Sequence, residues 1–181
     1  MSLSKLEEQL WLDTETEAPP FGAECIILAR ELGSAATPVL LKHVKNGDET
    51  AFLSLEALRA ADPDAFQAIP TRDRAGIYVR ALKSNLFYNT WGLPGYHITE
   101  TAQALIALGE EAVLLLKPLL DDWRLAPLSG SEDATASSIY ANRVRDYAWI
   151  LIAEIKRQPY QYFQTPAERD KQIGKLLKVL E

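Results

Sequence analysis

One stretch, residues 99–122, constrains the fold of this chain more than any other. Its sequence is TETAQALIALGEEAVLLLKPLLDD. Apolar residues recur at helical spacing in both halves, namely Ala102, Leu105, Ile106 and Gly109 in the first and Ala112, Val113, Leu116, Leu119 and Leu120 in the second. This pattern predicts two amphipathic helices joined at Leu108-Gly109. Because each apolar face is wider than one partner helix can cover, we expect neighbouring helix pairs to stack on both sides.

The composition is that of an ordinary globular protein. Of the 181 residues, 48% are hydrophobic and 24% are charged, which suits a single domain with its own core. The formal net charge of −6 argues against nucleic acid as a partner, because proteins that bind a phosphate backbone usually carry a basic face. The single cysteine, Cys25, excludes an internal disulfide and is expected to be a small buried hydrophobe.

Sequence patterns also address the fold class and the location. No stretch alternates with a period of two for long enough to predict a sheet, so the chain is predicted to be all-α. Neither a signal peptide nor an apolar run long enough to cross a bilayer is visible. We therefore expect a cytoplasmic protein without a membrane partner.

The helical patterns divide the single predicted domain, 1–181, into three parts. Residues 1–22 form an N-terminal helix and a linker, residues 23–157 carry the helix pairs, and residues 165–180 form a final capping helix. The longest helix is predicted over residues 137–157. Its run YAWILIA has no charged side chain and is expected at the centre of the C-terminal core.

Some polar residues are predicted at helix ends. Asp48 and Asp62 precede helical patterns and are predicted N-caps. His43 lies in a last helical turn, where it would interact with the helix dipole. Asp122 follows a helix, where negative charge is unfavourable, so it is expected to need a basic partner. The candidate partners are Arg124, Arg143 and Arg145.

An internal repeat supports stacked helix pairs. The segment LGSAATPVLLKHV, which begins at Leu32, aligns without gaps with LGEEAVLLLKPLL, which begins at Leu108, at an offset of 76 residues. The alignment matches Gly33 with Gly109. A middle unit would then place Tyr78 at an inward position, although it lacks the Leu-Gly turn. The matched apolar positions are Ala36 with Ala112, Leu40 with Leu116, and Val44 with Leu120.

The shared pattern is Leu-Gly, two residues, Ala, any residue, Pro or an apolar residue, any residue and Leu, with a Leu-Leu-Asp end. It resembles the HEAT-like repeats of phycobilisome-lyase-type and related armadillo-like α-superhelical proteins, over about residues 23–157. The resemblance implies a short right-handed superhelix of antiparallel helix pairs. The family places a proline in the first turn of the second helix, and Pro38 occupies that position in this chain. Pro118 instead falls inside a helix, which it is expected to kink or shorten.

Two connections, residues 85–98 and 123–135, are too long and too unusual in composition for simple turns. Each joins the second helix of one pair to the first helix of the next, so in a regular stack both emerge from one edge. The first, NLFYNTWGLPGYHI, is aromatic, and the second is polar. The candidate binding residues on and beside these loops are Asn89, Trp91, Tyr96, His97, Trp123, Glu132, Asp133 and Arg143.

The leading hypothesis is a non-catalytic scaffold that binds a protein or peptide partner through both loops. Trp91, Tyr96 and Trp123 would then form an exposed aromatic patch. The loops also have a purely structural interpretation. In it, Trp91 and Phe87 cover helix ends, and residues 129–133 cap the helix that follows.

The alternative is a small-ligand-binding or lyase-like enzyme with a pocket between the loops, in which His97 would face Glu132 or Asp133. The family resemblance extends to chromophore lyases and to glycosylases of alkylated DNA, and the negative charge disfavours the latter. A homodimer through the end helices is left open. No cofactor or metal is expected, because two histidines and one cysteine, far apart in sequence, offer no ligand cluster.

Overall fold

The computed structural model describes residues 2–85, 88–130, 135 and 138–180, which are mostly helical. The all-α prediction is confirmed at this level. Two compact units are present, one ending at Ala81 and one beginning at Leu82, and each is considered separately below. Within the described ranges, no helix has both the length and the apolar character needed to span a membrane.

The N-terminal unit is built around one buried helix. Its helices are α1 (Leu3–Glu15), α2 (Glu24–Leu32), α3 (Thr37–Asn46), α4 (Ala51–Ala61), α5 (Pro63–Ala68) and α6 (Thr71–Ser84), of which the last three residues belong to the other unit. Helix α4 packs against α1, α2, α3 and α5. Its sequence AFLSLEALRAA places apolar side chains on all sides, which explains why residues 53–58 are all buried.

The predicted N-caps of this unit had different outcomes. The Asp62 carboxylate accepts the Ala65 N–H at 3.1 Å, as predicted for the start of α5. The prediction for Asp48 is wrong, because Thr50 is the N-cap of α4. The Asp48 carboxylate instead accepts the Thr50 N–H at 3.0 Å, which closes the turn before the helix.

The C-terminal unit is organised around α9, Val144–Ile155. Its other helices are α7 (Glu100–Ile106), α8 (Glu110–Leu116) and α10 (Pro166–Val179), with short 3₁₀ helices at Asn89–Trp91 and Lys117–Asp121. Helix α9 contacts α7, α8, α10 and the second 3₁₀ helix. Residues 144–153 are buried without interruption, so the prediction that this helix forms the centre of the C-terminal core is confirmed.

The predicted boundaries of two elements require correction. One continuous helix was expected from residue 137. Residues 138–140 are helical, but Ala141 has a φ of 46° and Arg143 pairs with Leu125 in an antiparallel bridge, so α9 itself begins at Val144. Helix α8 ends at Leu116 and continues as a 3₁₀ helix that contains Pro118, which agrees with the expected shortening. A two-stranded hairpin, Gly92–Leu93 with His97–Ile98, was too short for a period-two pattern to reveal.

The repeated Leu-Gly turn has the same backbone conformation in both units. Gly33 has φ 56° and ψ −140°, and Gly109 has φ 65° and ψ −138°. Residues with a side chain rarely adopt this region, which explains a glycine at both positions. Each turn separates a pair of helices, α2 from α3 and α7 from α8. The local structure therefore repeats at the offset that the sequence shows.

Candidate functional site

The two long loops of the C-terminal unit are joined by hydrogen bonds. The Asn89 side-chain amide donates to the Ser129 carbonyl at 2.9 Å, and its oxygen accepts the Ser129 N–H at 2.7 Å and the Ser129 hydroxyl at 3.0 Å. The backbone N–H of Tyr88 also donates to the Pro127 carbonyl at 2.9 Å. Asn89 therefore acts as a link between the loops, and its half-buried side chain is occupied by these bonds.

Backbone hydrogen bonds fix the second loop against the start of α9. The Val144 N–H donates to the Arg124 carbonyl at 2.9 Å, and the Arg145 N–H donates to the Asp122 carbonyl at 3.0 Å. The Asp122 carboxylate is paired with the Arg124 side chain, so the predicted basic partner is Arg124. These bonds hold Trp123 directly over the beginning of α9.

Trp91 does not contribute to an exposed surface. Its side chain is only 2% exposed, and its indole N–H donates to the Asn85 side-chain oxygen at 2.9 Å. The Tyr147 hydroxyl donates to the adjacent Gly92 carbonyl at 3.0 Å, which fixes the hairpin to α9. The prediction of Trp91 as part of an exposed patch is therefore wrong, and its role as a buried lid is the one that the contacts support.

Tyr96, at the turn of the hairpin, is 64% exposed and begins a series of aromatic contacts. Its hydroxyl is 2.6 Å from that of Tyr140, and this hydrogen bond, together with burial, raises the pKa of Tyr140. Tyr140 packs against Tyr162, which stacks on buried Trp149 with ring centroids 5.9 Å apart. Burial also raises the pKa of Tyr162. The exposed Tyr96 ring is thus anchored to the core of the unit.

Arg143, Asp146, Asp170, Arg145 and Arg169 form a charged cluster at the junction of α9 and α10; we call it the arginine cluster. Asp146 is fully buried and accepts from the Arg143 backbone N–H at 2.9 Å and from its Nη2 at 2.9 Å. Arg143 Nη2 also lies 2.7 Å from Asp170. Burial opposes the charge of Arg143, but its bonds to both carboxylates outweigh that effect and raise its pKa.

Arg169 is the second well-paired member of the arginine cluster. Its Nη1 donates to the carbonyls of Phe163 at 2.9 Å and Gln164 at 2.8 Å, and its Nη2 donates to that of Tyr140 at 2.8 Å. The same Nη2 lies 3.2 Å from Asp146. Arg169 therefore connects the segment before α10 to the segment before α9, and it helps to neutralise Asp146.

Arg145 differs from the other two arginines of the cluster. It is 6% exposed, and its Nε and Nη1 have no hydrogen-bond partner in the described part of the chain. Its Nη1 lies 3.5 Å from Asp170, which Arg143 already engages. The Trp123 ring covers the guanidinium, with the ring centroid 3.7 Å from Cζ. Burial in this position lowers the pKa of Arg145.

A second polar cluster surrounds His43 in the N-terminal unit. His43 is buried, its Nδ1 lies 3.1 Å from Asp48 and 2.9 Å from the Thr50 hydroxyl, and its Nε2 lies 3.2 Å from Glu7. The hydrogen bond from Lys42 is the main reason that the pKa of Glu7 is lowered. His43 does occupy the last turn of α3, but its side chain contacts carboxylates rather than helix carbonyls, which sequence spacing did not indicate.

The structure separates the sequence-predicted residues into distinct groups. Tyr96, His97 and Trp123 are exposed, whereas Trp91 and Arg143 are buried. The predictions for Glu132 and Asp133 fall outside the described residues, and with them the test of His97 as an acid–base partner. The sequence analysis did not assign site roles to five residues that the structure places here: Tyr140, Arg145, Tyr162, Arg169 and Asp170. For Arg145 a signal existed, because VRDYAWILIA puts a charge pair into an otherwise apolar helix, where each charge needs a partner.

Comparison with protein-family models, with curated proteins and with solved structures gave no match for this chain. Within the residues that the structure describes, no group of three His, Cys, Asp or Glu side chains is placed to hold a metal ion. Function must therefore be inferred from the geometry of the chain itself.

Proposed function

We propose that this protein is a non-catalytic binding module of HEAT-like helix pairs, which binds a protein or peptide partner through the C-terminal unit. The binding surface consists of the exposed side chains of Tyr96, Trp123 and Leu125, which we call the aromatic surface. The repeated glycine turn supports the HEAT-like architecture. Asn89 and Ser129 support the proposal that both loops take part, since they connect the loop of Tyr96 to that of Trp123.

The observation that carries the proposal is that two large aromatic side chains are exposed and nevertheless held in place. Tyr96 is hydrogen-bonded to Tyr140, and Trp123, which is 59% exposed, is stacked on Arg145. Both contacts lead to the arginine cluster, since the Tyr140 carbonyl accepts from Arg169. A pre-ordered aromatic side chain binds with a small loss of conformational entropy, which is typical of residues that dominate an interface.

The experiment is selection of binding peptides from a displayed random library on the immobilised full chain. We expect the enriched peptides to lose most of their affinity for W123A and Y96A. The control is L114A, because Leu114 on α8 is 66% exposed and in the same unit but lies outside the aromatic surface. Unchanged affinity for W123A and Y96A, or loss only in L114A, would refute the assignment of this surface.

A further inference from the structure

The C-terminal unit contains buried donors without an acceptor. Four buried side-chain atoms in its described residues have no hydrogen-bond partner: Asn142 Nδ2, Arg145 Nε, Arg145 Nη1 and Arg169 Nε. All four are N–H donors. A buried donor without a partner costs about 1–3 kcal/mol, so such groups are usually satisfied in the functional state of a protein. Within the described residues, what this region lacks is therefore specifically an acceptor.

The carboxylates of the arginine cluster do not supply that acceptor. Three guanidinium groups, Arg143, Arg145 and Arg169, face two carboxylates, Asp146 and Asp170. The nearby Asp122 is engaged by Arg124. Asp121 also acts electrostatically on Arg145, so what the cluster lacks is an acceptor placed to bond Arg145 rather than a balancing charge.

Within the cluster the unpaired donors are concentrated at Arg145. Arg143 and Arg169 each donate several hydrogen bonds, whereas the guanidinium of Arg145 donates none to the described residues. Its Nε belongs to the edge of the guanidinium that pairs side-on with a carboxylate. Trp123 covers one face of the group and is itself more than half exposed, so a partner that displaces the indole would reach the guanidinium.

We propose that Arg145 is the anchor of a carboxylate-binding site beneath Trp123, and that the partner is a peptide segment which presents one carboxylate beside an apolar side chain. This inference rests on the proposed function and names the chemistry of its partner. The carboxylate pairs with Arg145 and accepts from its unpaired donors. The apolar neighbour packs on the displaced Trp123 and on Leu125, which is also exposed. A planar carboxylate fits better than a phosphate dianion, because its two oxygens match the side-on edge of a guanidinium.

The test is a titration of the ¹⁵N-labelled full chain at constant ionic strength, observed at the side-chain N–H resonances of Arg145 and Trp123. The probes are acetyl-phenylalanine, which has a main-chain carboxylate, and N-acetylaspartate methylamide, which has a side-chain carboxylate. Acetyl-phenylalanine amide and inorganic phosphate serve as comparison compounds. We expect saturable shifts of both resonances with the carboxylates and none with the amide. The carboxylate compound that binds more tightly identifies whether a chain terminus or an acidic side chain is recognised.

Two variants of Arg145 keep the test independent of folding. R145M removes the charge and R145K keeps it without the side-on edge, and each should weaken carboxylate binding by about tenfold or more. The control is R157M, because Arg157 is an exposed arginine after α9. Circular dichroism and thermal unfolding establish that each variant is folded. If R145M does not fold, the comparison of carboxylate binding by R145K and by the wild type decides the test.

Three results would overturn the carboxylate site. They are the absence of saturable shifts with either carboxylate, equal binding by R145K and wild type, and stronger binding of phosphate than of the carboxylates. Each is distinguishable from failure of the proposed function. If library peptides need Tyr96 and Trp123 but bind R145K normally, the aromatic surface is retained and only the carboxylate-binding site is refuted.

Discussion

The polar cluster around His43 in the N-terminal unit and the arginine cluster in the C-terminal unit differ in how completely they are paired. Around His43, both ring nitrogens have partners, and the surrounding carboxylates accept from Lys42, Thr50 and His43 itself. Around Arg145, the buried Nε and Nη1 have no hydrogen-bond partner within the described residues, and the contact with Asp170 is an ion pair at 3.5 Å. A cluster in which the polar groups are paired is explained by a structural role. A cluster that lacks an acceptor is typical of a binding site without its ligand.

The distribution of charge in the sequence follows the same division. Residues 1–81 contain eight basic and thirteen acidic residues, so most of the net charge of −6 lies in the N-terminal unit. Residues 82–181 contain eleven basic and twelve acidic residues and are close to neutral. The overall negative charge therefore does not oppose binding of a carboxylate at the C-terminal unit. The following predictions test the contrast between the units.

The largest effect is expected from D146N. This substitution removes the charge of a fully buried carboxylate that pairs with Arg143 and Arg169, and it should lower the free energy of unfolding by about 3–5 kcal/mol in urea denaturation. The matched change in the other cluster is D48N, at a side chain that is 25% exposed. It should cost about 1 kcal/mol or less. Equal losses in the two variants would contradict the contrast between the clusters.

The repeated glycine turns provide a comparison in which the two units should behave alike. G33A and G109A each place a side chain at a positive φ, and each should lower the free energy of unfolding by about 1–3 kcal/mol. The controls are G76A and G174A, at helical glycines with room for a Cβ atom. Each control should stabilise the protein by about 0.5–1 kcal/mol. A neutral effect of either turn substitution would remove the structural basis of the repeat.

R145M is expected to change the free energy of unfolding only slightly, or to increase it. Because Arg145 is a buried charge without hydrogen bonds to the described residues, its replacement should change the free energy of unfolding by less than about 1 kcal/mol, or increase it. R143M should lower it by about 3 kcal/mol or more, since it leaves Asp146 without its closest partner. Urea denaturation of both variants measures the difference. A large loss in R145M would show that this guanidinium is already satisfied.

The sequence predicted those features that depend on periodicity and on local chemistry. The helical class, the buried α9 and the glycine turn at the 76-residue offset all follow from spacing along the chain. The arginine cluster was not predicted as a cluster, because its members lie at the start of α9 and in α10, and only tertiary packing brings them together. Trp91 was misassigned for a related reason, since composition indicates aromatic density but not which ring is buried.

The smallest effect concerns pH and tests the cluster of the N-terminal unit alone. The pKa of Glu7 is lowered from 4.5, mainly by Lys42, and that of Asp48 is lowered from 3.8, where bonds from Thr50 and His43 outweigh burial. A carboxyl with a lower pKa in the folded state stabilises the protein above its ordinary pKa, and that contribution is lost as the pH falls through the folded value. Stability should therefore decline from about pH 5 to pH 3, and less steeply in E7Q and D48N. The control is L114A, at an exposed residue of the other unit, which removes no titrating group and should keep the slope of the wild type. An unchanged slope in both E7Q and D48N would show that the His43 cluster contributes nothing to acid sensitivity.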